Sequence, residues 1–211
     1  MYAGRGCGEV CLPEFVIRSE EMAPEFDRYI RTIWIAVLAV WLIGALATKR
    51  TVRRQMRSSR LIEVAVFGLA CALLLGRHPE LGVMNERFVP EAAAFSWMGL
   101  ALTIVGVLFA VWARFYLGGN WSLTVTVKAG HTLIRGGPYA AVRHPIYSGL
   151  SLAVLGTALA VGEFRGLAAV GLVVFGFRHK SLVEERFMRQ EFGAEYERYC
   201  RDVKALIPFV W

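Results

Sequence analysis

Two polar clusters in an otherwise apolar chain contain the side chains that could do chemistry. The first spans residues 136–149, which read G-G-P-Y-A-A-V-R-H-P-I-Y-S-G. The second is the pair Glu184-Glu185, which follows the next two apolar segments. Because adjacent helical residues point about 100° apart, at least one of these carboxylates turns inward, where it needs a cation or hydroxyl partners. We interpret the two clusters as the two halves of one site.

Glycine and proline residues predict the local structure of the first cluster. The G-G-P triplet at 136–138 predicts a turn, because Gly tolerates unusual φ values and Pro fixes its own φ. Pro145 precedes an apolar run and matches the first position of a helix, where proline is favoured. The turn therefore delivers Arg143, His144 and Tyr147 to the mouth of a membrane helix.

The composition indicates an integral membrane protein. The chain has 211 residues, of which 56% are hydrophobic and 19% charged, with a mean hydropathy of +0.46. The apolar residues are concentrated in blocks, and a bilayer-spanning helix needs about 20 of them. The net charge of +7 comes from basic residues clustered at the predicted membrane borders, so we expect a bilayer and no nucleic acid as partner.

The predicted fold is all-α and polytopic, with about five transmembrane helices. A polar N-terminal extension at 1–29 precedes two spans within 30–90, and residues 91–211 form a core that contains both clusters. The predicted spans are 30–48, 61–75, 95–117, 146–161 and 166–177. The last two form a short hairpin, and the tail from Arg178 alternates apolar and charged positions at helical spacing. That pattern predicts an amphipathic helix at the membrane interface, with Gly193 kinking or splitting it.

The distribution of basic residues predicts the orientation. Five spans place 17 of the 24 Lys and Arg residues on one side and 7 on the other. The positive-inside rule makes the richer side cytoplasmic. Both polar clusters then face the cytoplasm, and the N-terminus is exterior.

The residues alone leave two interpretations open for these clusters. The chain lacks a Rossmann glycine fingerprint, a P-loop and the nucleophile-elbow and zincin motifs. Its four histidines lack metal-ligand spacing, so no metal is expected. A ligand with a positive centre and a ribose diol would satisfy Glu184 and Glu185, while Tyr139 and Tyr147 could stack on it. The alternative is a structural polar belt at the membrane border.

Three motifs resemble those of the isoprenylcysteine carboxyl methyltransferase family. They are L-G-G-N-W-S at 117–122, H-x-L-I-x-G-G-P-Y-x-x-V-R-H-P-I-Y-S-G at 131–149 and E-E-R-F-x-x-x-x-F-G-x-x-Y-x-x-Y at 184–199. The resemblance covers about residues 95–211. It implies that the 91–211 core is methyltransferase-like.

The resemblance implies a methyl transfer from S-adenosylmethionine to a hydrophobic acceptor, such as the carboxylate of a prenylated cysteine or a similar small lipid-like acid. Arg143 and Glu185 are the predicted catalytic residues, with Arg143 orienting an anionic acceptor. Asn120 and Trp121 are predicted to bind the acceptor. The predicted cofactor-binding residues are His131, Leu133, Gly137, Tyr139, Arg143, His144, Pro145, Tyr147, Glu184 and Glu185.

Related scaffolds supply the alternatives. Phospholipid N-methyltransferases and thiol S-methyltransferases use similar membrane folds, and an amine acceptor would need a general base such as a glutamate or His144. Sterol reductases have a comparable R-H-x-x-Y motif and use NADPH, whose 2′-phosphate favours basic residues beside the ribose pocket. Glu184 and Glu185 argue against that cofactor here. A non-catalytic membrane protein that retains the scaffold is the remaining alternative.

Overall fold

The chain folds into a helical bundle. A computed structural model describes residues 14–46, 51–54, 57–76, 81–118, 126–128 and 133–207. Its helices are α1 Glu14–Leu46, α2 Arg57–Leu75, α3 Ala93–Leu117, α4 Pro138–Ala141, α5 Pro145–Val161, α6 Phe164–Phe192 and α7 Ala194–Asp202, with a 3-10 turn at Gly82–Asn85. Strands β1 (Thr51–Arg54) and β2 (Thr126–Lys128) pair antiparallel, a short ribbon that we did not predict. The predicted helical class is otherwise confirmed.

Each predicted span overlaps a helix, the first one as far as Leu46, but the number that crosses a bilayer stays a prediction. Among the described residues, α3 and α6 are long and apolar enough to span a membrane. Val64–Leu75 and the 17-residue α5 are apolar but shorter. Helix α1 begins at Glu14, inside the stretch predicted as a polar extension, and continues into the first apolar segment.

The hairpin between α5 and α6 returns the chain to the end of the bundle from which α5 started. Gly162 ends α5 with φ 76°, a left-handed conformation that glycine adopts without a steric penalty. Only Gly162 and Glu163 separate the two helices. As a result, the first turn of α5 and the second half of α6 lie at the same end of the bundle.

Helix α6 corrects one expectation about the tail. The amphipathic helix was predicted to begin at Arg178 as a separate element, yet α6 continues without a break from Phe164 to Phe192. The chain carries no glycine or proline between 177 and 192, so nothing interrupts the helix where its composition turns polar. Gly193, with φ 49°, then separates α6 from α7, which confirms the predicted split.

Helices α3 and α5 pack with their backbones in direct contact. A Cβ added at Gly106 would lie 2.5 Å from the backbone nitrogen of Ala153, and one at Gly156 would lie 2.5 Å from that of Thr103. Small residues recur along the contact on both helices: Gly99, Thr103, Gly106, Ala110, Gly149, Ala153, Gly156 and Ala160. Such rows of small residues allow close helix packing where lipid removes the hydrophobic driving force. This contact fixes α5, and hence the residues just before it.

Candidate functional site

The backbone before α5 is held in place by the segment that follows α7. Gly137, with φ 58°, starts the short helix α4, after which Val142 is extended and His144 caps α5. The amide of Arg143 donates to the Lys204 carbonyl at 2.8 Å, and the amide of His144 donates to the Ala205 carbonyl at 3.0 Å. Residues 142–144 are therefore fixed on both sides, by α5 and by a parallel bridge to residues 204–205.

Glu185 is the centre of the polar cluster. Its Oε1 accepts hydrogen bonds from Nη2 of Arg143 at 2.7 Å and from Nε of the same residue at 3.1 Å. The Nε2 atom of His144 lies 3.3 Å from that oxygen. Arg189, one helical turn further along α6, donates to Oε2 at 3.1 Å. Three basic side chains thus surround one buried carboxylate, which satisfies the requirement that a buried charge be paired.

Arg143 also binds the end of α7. Its Nη1 group donates to the carbonyl of Cys200 at 3.2 Å and to that of Val203. With the two bonds to Glu185, most of its five N–H donors are in use. The side chain is only 11% exposed. In this structure the guanidinium therefore joins the start of α5, the middle of α6 and the end of α7.

Glu184 is the more open of the two carboxylates. Its Oε1 accepts a hydrogen bond from the Tyr147 hydroxyl, and its Oε2 lies 3.4 Å from Nδ1 of His144. The side chain is 24% exposed, compared with 4% for Glu185. Glu184 therefore keeps accessible acceptor capacity, whereas the oxygens of Glu185 are occupied.

His144 lies between the two carboxylates, with one ring nitrogen facing each of them. Burial alone would lower the pKa of His144, but the hydrogen bonds and negative charges of Glu184 and Glu185 outweigh it and raise the pKa above its ordinary value. Because both nitrogens face acceptors, the doubly protonated imidazolium fits this position.

Aromatic rings line the side of the cluster that faces α6. The ring of Tyr147 stacks on that of His144 with centroids 5.5 Å apart and on Phe177 at 4.7 Å. Lys180 places Nζ 5.8 Å from the centre of the Tyr147 ring. Behind them, the Tyr199 hydroxyl donates to the carbonyl of Tyr139, and burial raises the pKa of both phenols, so they stay neutral. The cluster thus combines a flat aromatic wall with an accessible carboxylate.

The structure brings together the core of the predicted site. Arg143, His144, Tyr147, Glu184 and Glu185 form the connected network described above. Tyr139 and Pro145 are buried beside it, Leu133 is half-buried and Gly137 forms the turn that leads into α4. The predicted residues Asn120, Trp121 and His131 lie outside the described residues. The roles of all these residues in binding or catalysis remain predictions.

Sequence reasoning missed two components of the network. Arg189 follows Glu185 by four positions, the spacing at which helical side chains pair, so the signal was available. The carbonyls of Cys200, Val203, Lys204 and Ala205 carry no signal, because backbone acceptors are the same in every residue. These carbonyls explain how the short segment before α5 is held.

Comparison with known proteins identifies a matching family model and similar enzymes. Residues 94–195, which contain both clusters, match the model of a family described as "Phospholipid methyltransferase". A probable protein-S-isoprenylcysteine O-methyltransferase of Oryza sativa subsp. japonica is 29% identical over 164 residues, covering 75% of this chain and 84% of the relative. Protein-S-isoprenylcysteine O-methyltransferase A of Arabidopsis thaliana is 30% identical over 153 residues, covering 66% and 78%.

A solved structure has a similar fold. The eukaryotic intramembrane Ras methyltransferase ICMT (isoprenylcysteine carboxyl methyltransferase) aligns with a TM-score of 0.52 and 23% identity. The alignment covers 72% of this chain and 52% of that protein, so this chain matches about half of the solved structure. The matched helices therefore share an architecture.

Proposed function

Because this chain belongs to the protein-S-isoprenylcysteine O-methyltransferase family, and is thus a membrane methyltransferase, we propose that it methylates the carboxylate of a prenylated cysteine or a similar small lipid-like acid. S-adenosylmethionine is the proposed methyl donor. The observation that carries this proposal is the meeting of the R-H-P-x-Y motif with Glu184-Glu185, where His144 lies 3.4 Å from one carboxylate and 3.3 Å from the other. The proposed acceptor follows from the names of the relatives.

The side chains present fit S-adenosylmethionine, which supplies an electrophilic methyl group on a sulfonium when bound. Glu184 is the proposed contact for hydroxyl or ammonium groups, because it keeps acceptor capacity at the site. Tyr147, whose ring stacks on His144 and Phe177, is the proposed contact beside Glu184, to which its hydroxyl donates. The predicted contacts at His131, Leu133, Gly137 and Tyr139 belong to the same proposal.

Arg143 and Glu185 act in this proposal by positioning. The ion pair between them holds the segment before α5 against α6, and the buried Glu185 fixes His144. Glu184 is therefore presented at a constant distance from Tyr147. An anionic acceptor needs a further polar contact, which the predicted residues Asn120 and Trp121 would supply.

A carboxylate acceptor needs little acid–base help. It is already nucleophilic at neutral pH, so holding it in line and excluding water supplies most of the rate enhancement. The network suits this task, because both ring nitrogens of the protonated His144 face carboxylates and Glu185 is fully paired, which leaves the weakly basic carboxylate of Glu184 as its accessible base. An amine acceptor would require a base to take up its proton. This argument favours an acid over the headgroup of an aminophospholipid.

The test is a methyl-transfer assay on the purified protein in detergent. Labelled S-adenosylmethionine is offered with N-acetyl-farnesylcysteine, N-acetyl-geranylgeranylcysteine, phosphatidylethanolamine and an alkyl thiol, and the products are identified by mass. We expect a base-labile methyl ester on a prenylcysteine. A methylated amine or thioether as the main product would replace the proposed acceptor, and binding of NADPH without binding of S-adenosylmethionine would overturn the cofactor.

The proposed site faces the cytoplasm, and the N-terminus is exterior. The support is the excess of basic residues on the side that carries both clusters. A reporter fused after Trp211 should read cytoplasmic, and one fused before Tyr2 should read exterior. Two reporters on the same side would show an even number of spans and contradict the five-span topology.

A further inference from the structure

A cavity lies at the end of the bundle opposite the candidate site. It has a volume of about 400 Å³, and its walls come from α1, the end of α2, the start of α3 and the turn between α5 and α6. Helix α5 separates it from His144, and its 17 residues extend about 26 Å. No residue of the network around Glu185 lines this cavity. The cavity is therefore distinct from the candidate site.

The cavity has an apolar floor and a charged rim. Phe26, Ile30, Leu74, Leu75, Ala160 and Val161 supply the apolar surface. The rim carries two guanidiniums, Arg87 and Arg165, and three carboxylates, Asp27, Glu91 and Glu163. A surface that is apolar on one side and charged on the other matches the boundary between hydrocarbon and headgroups. The exposed Trp97, next to the lining residue Ser96, is a typical residue of that boundary.

The cations of the rim are held in place by the protein. Nη1 of Arg165 donates to the carbonyls of Leu73 at 2.7 Å and Gly76 at 2.8 Å, at the C-terminal end of α2. Nη1 of Arg87 donates to the Val161 carbonyl at 3.2 Å. Within the described residues, the Nη2 group of each arginine has no hydrogen-bond acceptor. Both guanidiniums therefore keep donors for a phosphate.

The carboxylates of the rim favour an ammonium that can donate hydrogen bonds. Glu91 lies 3.7 Å from Arg87, beyond hydrogen-bond distance, and its side chain is 76% exposed. Asp27 and Glu163 each accept one guanidinium hydrogen bond and keep further acceptor capacity. The acids and bases of the rim balance, because Arg31 pairs with Asp27, so the rim offers no excess of positive charge to an anionic lipid. A quaternary ammonium prefers an aromatic cage, whereas among the described residues the lining has one aromatic ring, that of Phe26, which packs edge-on against Trp97.

From this charge pattern we propose that the cavity binds the phosphoethanolamine headgroup of a membrane phospholipid. The phosphate lies between Arg87 and Arg165, the primary ammonium faces Glu91 and Asp27, and the acyl chains follow the apolar surface of the bundle. The lipid bridges the ends of α1, α2, α3 and the α5–α6 turn, so its binding stabilises this end of the fold.

Native mass spectrometry of the full-length protein in detergent tests the proposal. Equal concentrations of a phosphatidylethanolamine, a phosphatidylcholine and a phosphatidylglycerol with the same acyl chains compete for the protein. We expect the phosphatidylethanolamine adduct to exceed each of the others about fivefold, which is a difference of about 1 kcal/mol. Equal adducts, or a preference for phosphatidylglycerol, would overturn the proposal.

Variants link the preference to the cavity. Arg87→Gln and Glu91→Gln change exposed side chains, so both should fold, and each should reduce the preference to about twofold or less. Glu191→Gln, an exposed acid near the other end of α6, is the matched control and should keep it. Retention of the preference in both rim variants would overturn the assignment to this cavity.

A soluble competitor separates a lipid from a free headgroup. Glycerophosphoethanolamine carries the same phosphate and ammonium but no acyl chains. We expect it to leave the lipid adduct in place at equal concentration, because it lacks the apolar contact. Displacement at equal concentration would assign the cavity to a soluble phosphoethanolamine compound and overturn the lipid proposal.

Discussion

Arg143 and Glu185 meet across 42 positions of sequence, with Nη2 of the guanidinium 2.7 Å from Oε1 of the carboxylate. Glu185 is buried and the Arg143 side chain is only 11% exposed. Arg143 also donates to the carbonyls of Cys200 and Val203, and Glu185 also accepts from Arg189. A buried pair of this kind contributes little net stability, yet removing one partner leaves an uncompensated charge. The pair therefore locks the geometry of the site.

Replacement of Arg143 tests that statement. Arg143→Ala should destabilise the protein by about 3–5 kcal/mol, because Glu185 would remain buried with less compensation. For a chain of this size, that corresponds to a loss of about 6–20 °C in unfolding temperature. Arg189→Ala is the matched control, since Arg189 contacts the same carboxylate but is 45% exposed, and it should shift the transition little.

The unfolding temperature is measured by tryptophan fluorescence in a fixed detergent, without added cofactor. Equal shifts in unfolding temperature for the two arginine variants would show that the ion pair of Arg143 contributes no more to stability than the exposed contact of Arg189.

The two glutamates should respond differently to amide substitution. Glu184→Gln should weaken binding of S-adenosylmethionine about tenfold and lower the unfolding temperature less than Glu185→Gln does, because this carboxylate is the accessible one. Glu185→Gln should lower the unfolding temperature, because three basic groups would face a neutral amide. Calorimetric titration gives the affinities, with Glu191→Gln as control. Unchanged affinity in Glu184→Gln would remove this residue from the cofactor site.

His144 should make the stability depend on pH. Its raised pKa means that the folded state binds the proton more tightly than the unfolded state does. The resulting stabilisation is complete below the ordinary pKa of about 6.5 and is lost as the pH rises through the higher pKa of the folded state.

Unfolding temperatures measured between pH 6 and pH 9 should therefore fall with rising pH in the wild type more steeply than in His144→Asn. Parallel curves for the two proteins would mean that His144 is not the titrating group.

The close contact between α3 and α5 predicts a strong effect of one added methyl group. Gly106→Ala should destabilise the protein by about 1–3 kcal/mol, because its Cβ would lie 2.5 Å from backbone atoms of α5. Gly171→Ala on α6 is the matched control. No atom lies within 4 Å of its added Cβ, so the substitution should be neutral or stabilise by up to about 1 kcal/mol through helix propensity. Thermal unfolding in detergent compares the two, and similar transitions would refute the tight contact.

The sequence could predict the meeting of the two clusters for a simple physical reason. Two apolar segments joined by a short turn must return the chain to its starting end, so His144 and Glu184 share one end of the bundle. It could not predict that α6 continues past Phe177, because charged residues after that position change the composition without breaking the helix. It could also not predict the carbonyls that hold Arg143, because their position depends on how α7 packs. The row of small residues on α3 and α5 does indicate close helix packing, but no contact between these two helices was predicted from it.

The bridge between residues 142–144 and residues 204–205 has a consequence for biosynthesis. When the ribosome has delivered the hairpin of α5 and α6, Arg143 and His144 still lack the carbonyl partners that follow α7. The nascent enzyme must therefore keep two polar residues hydrated at the membrane surface until that late segment arrives.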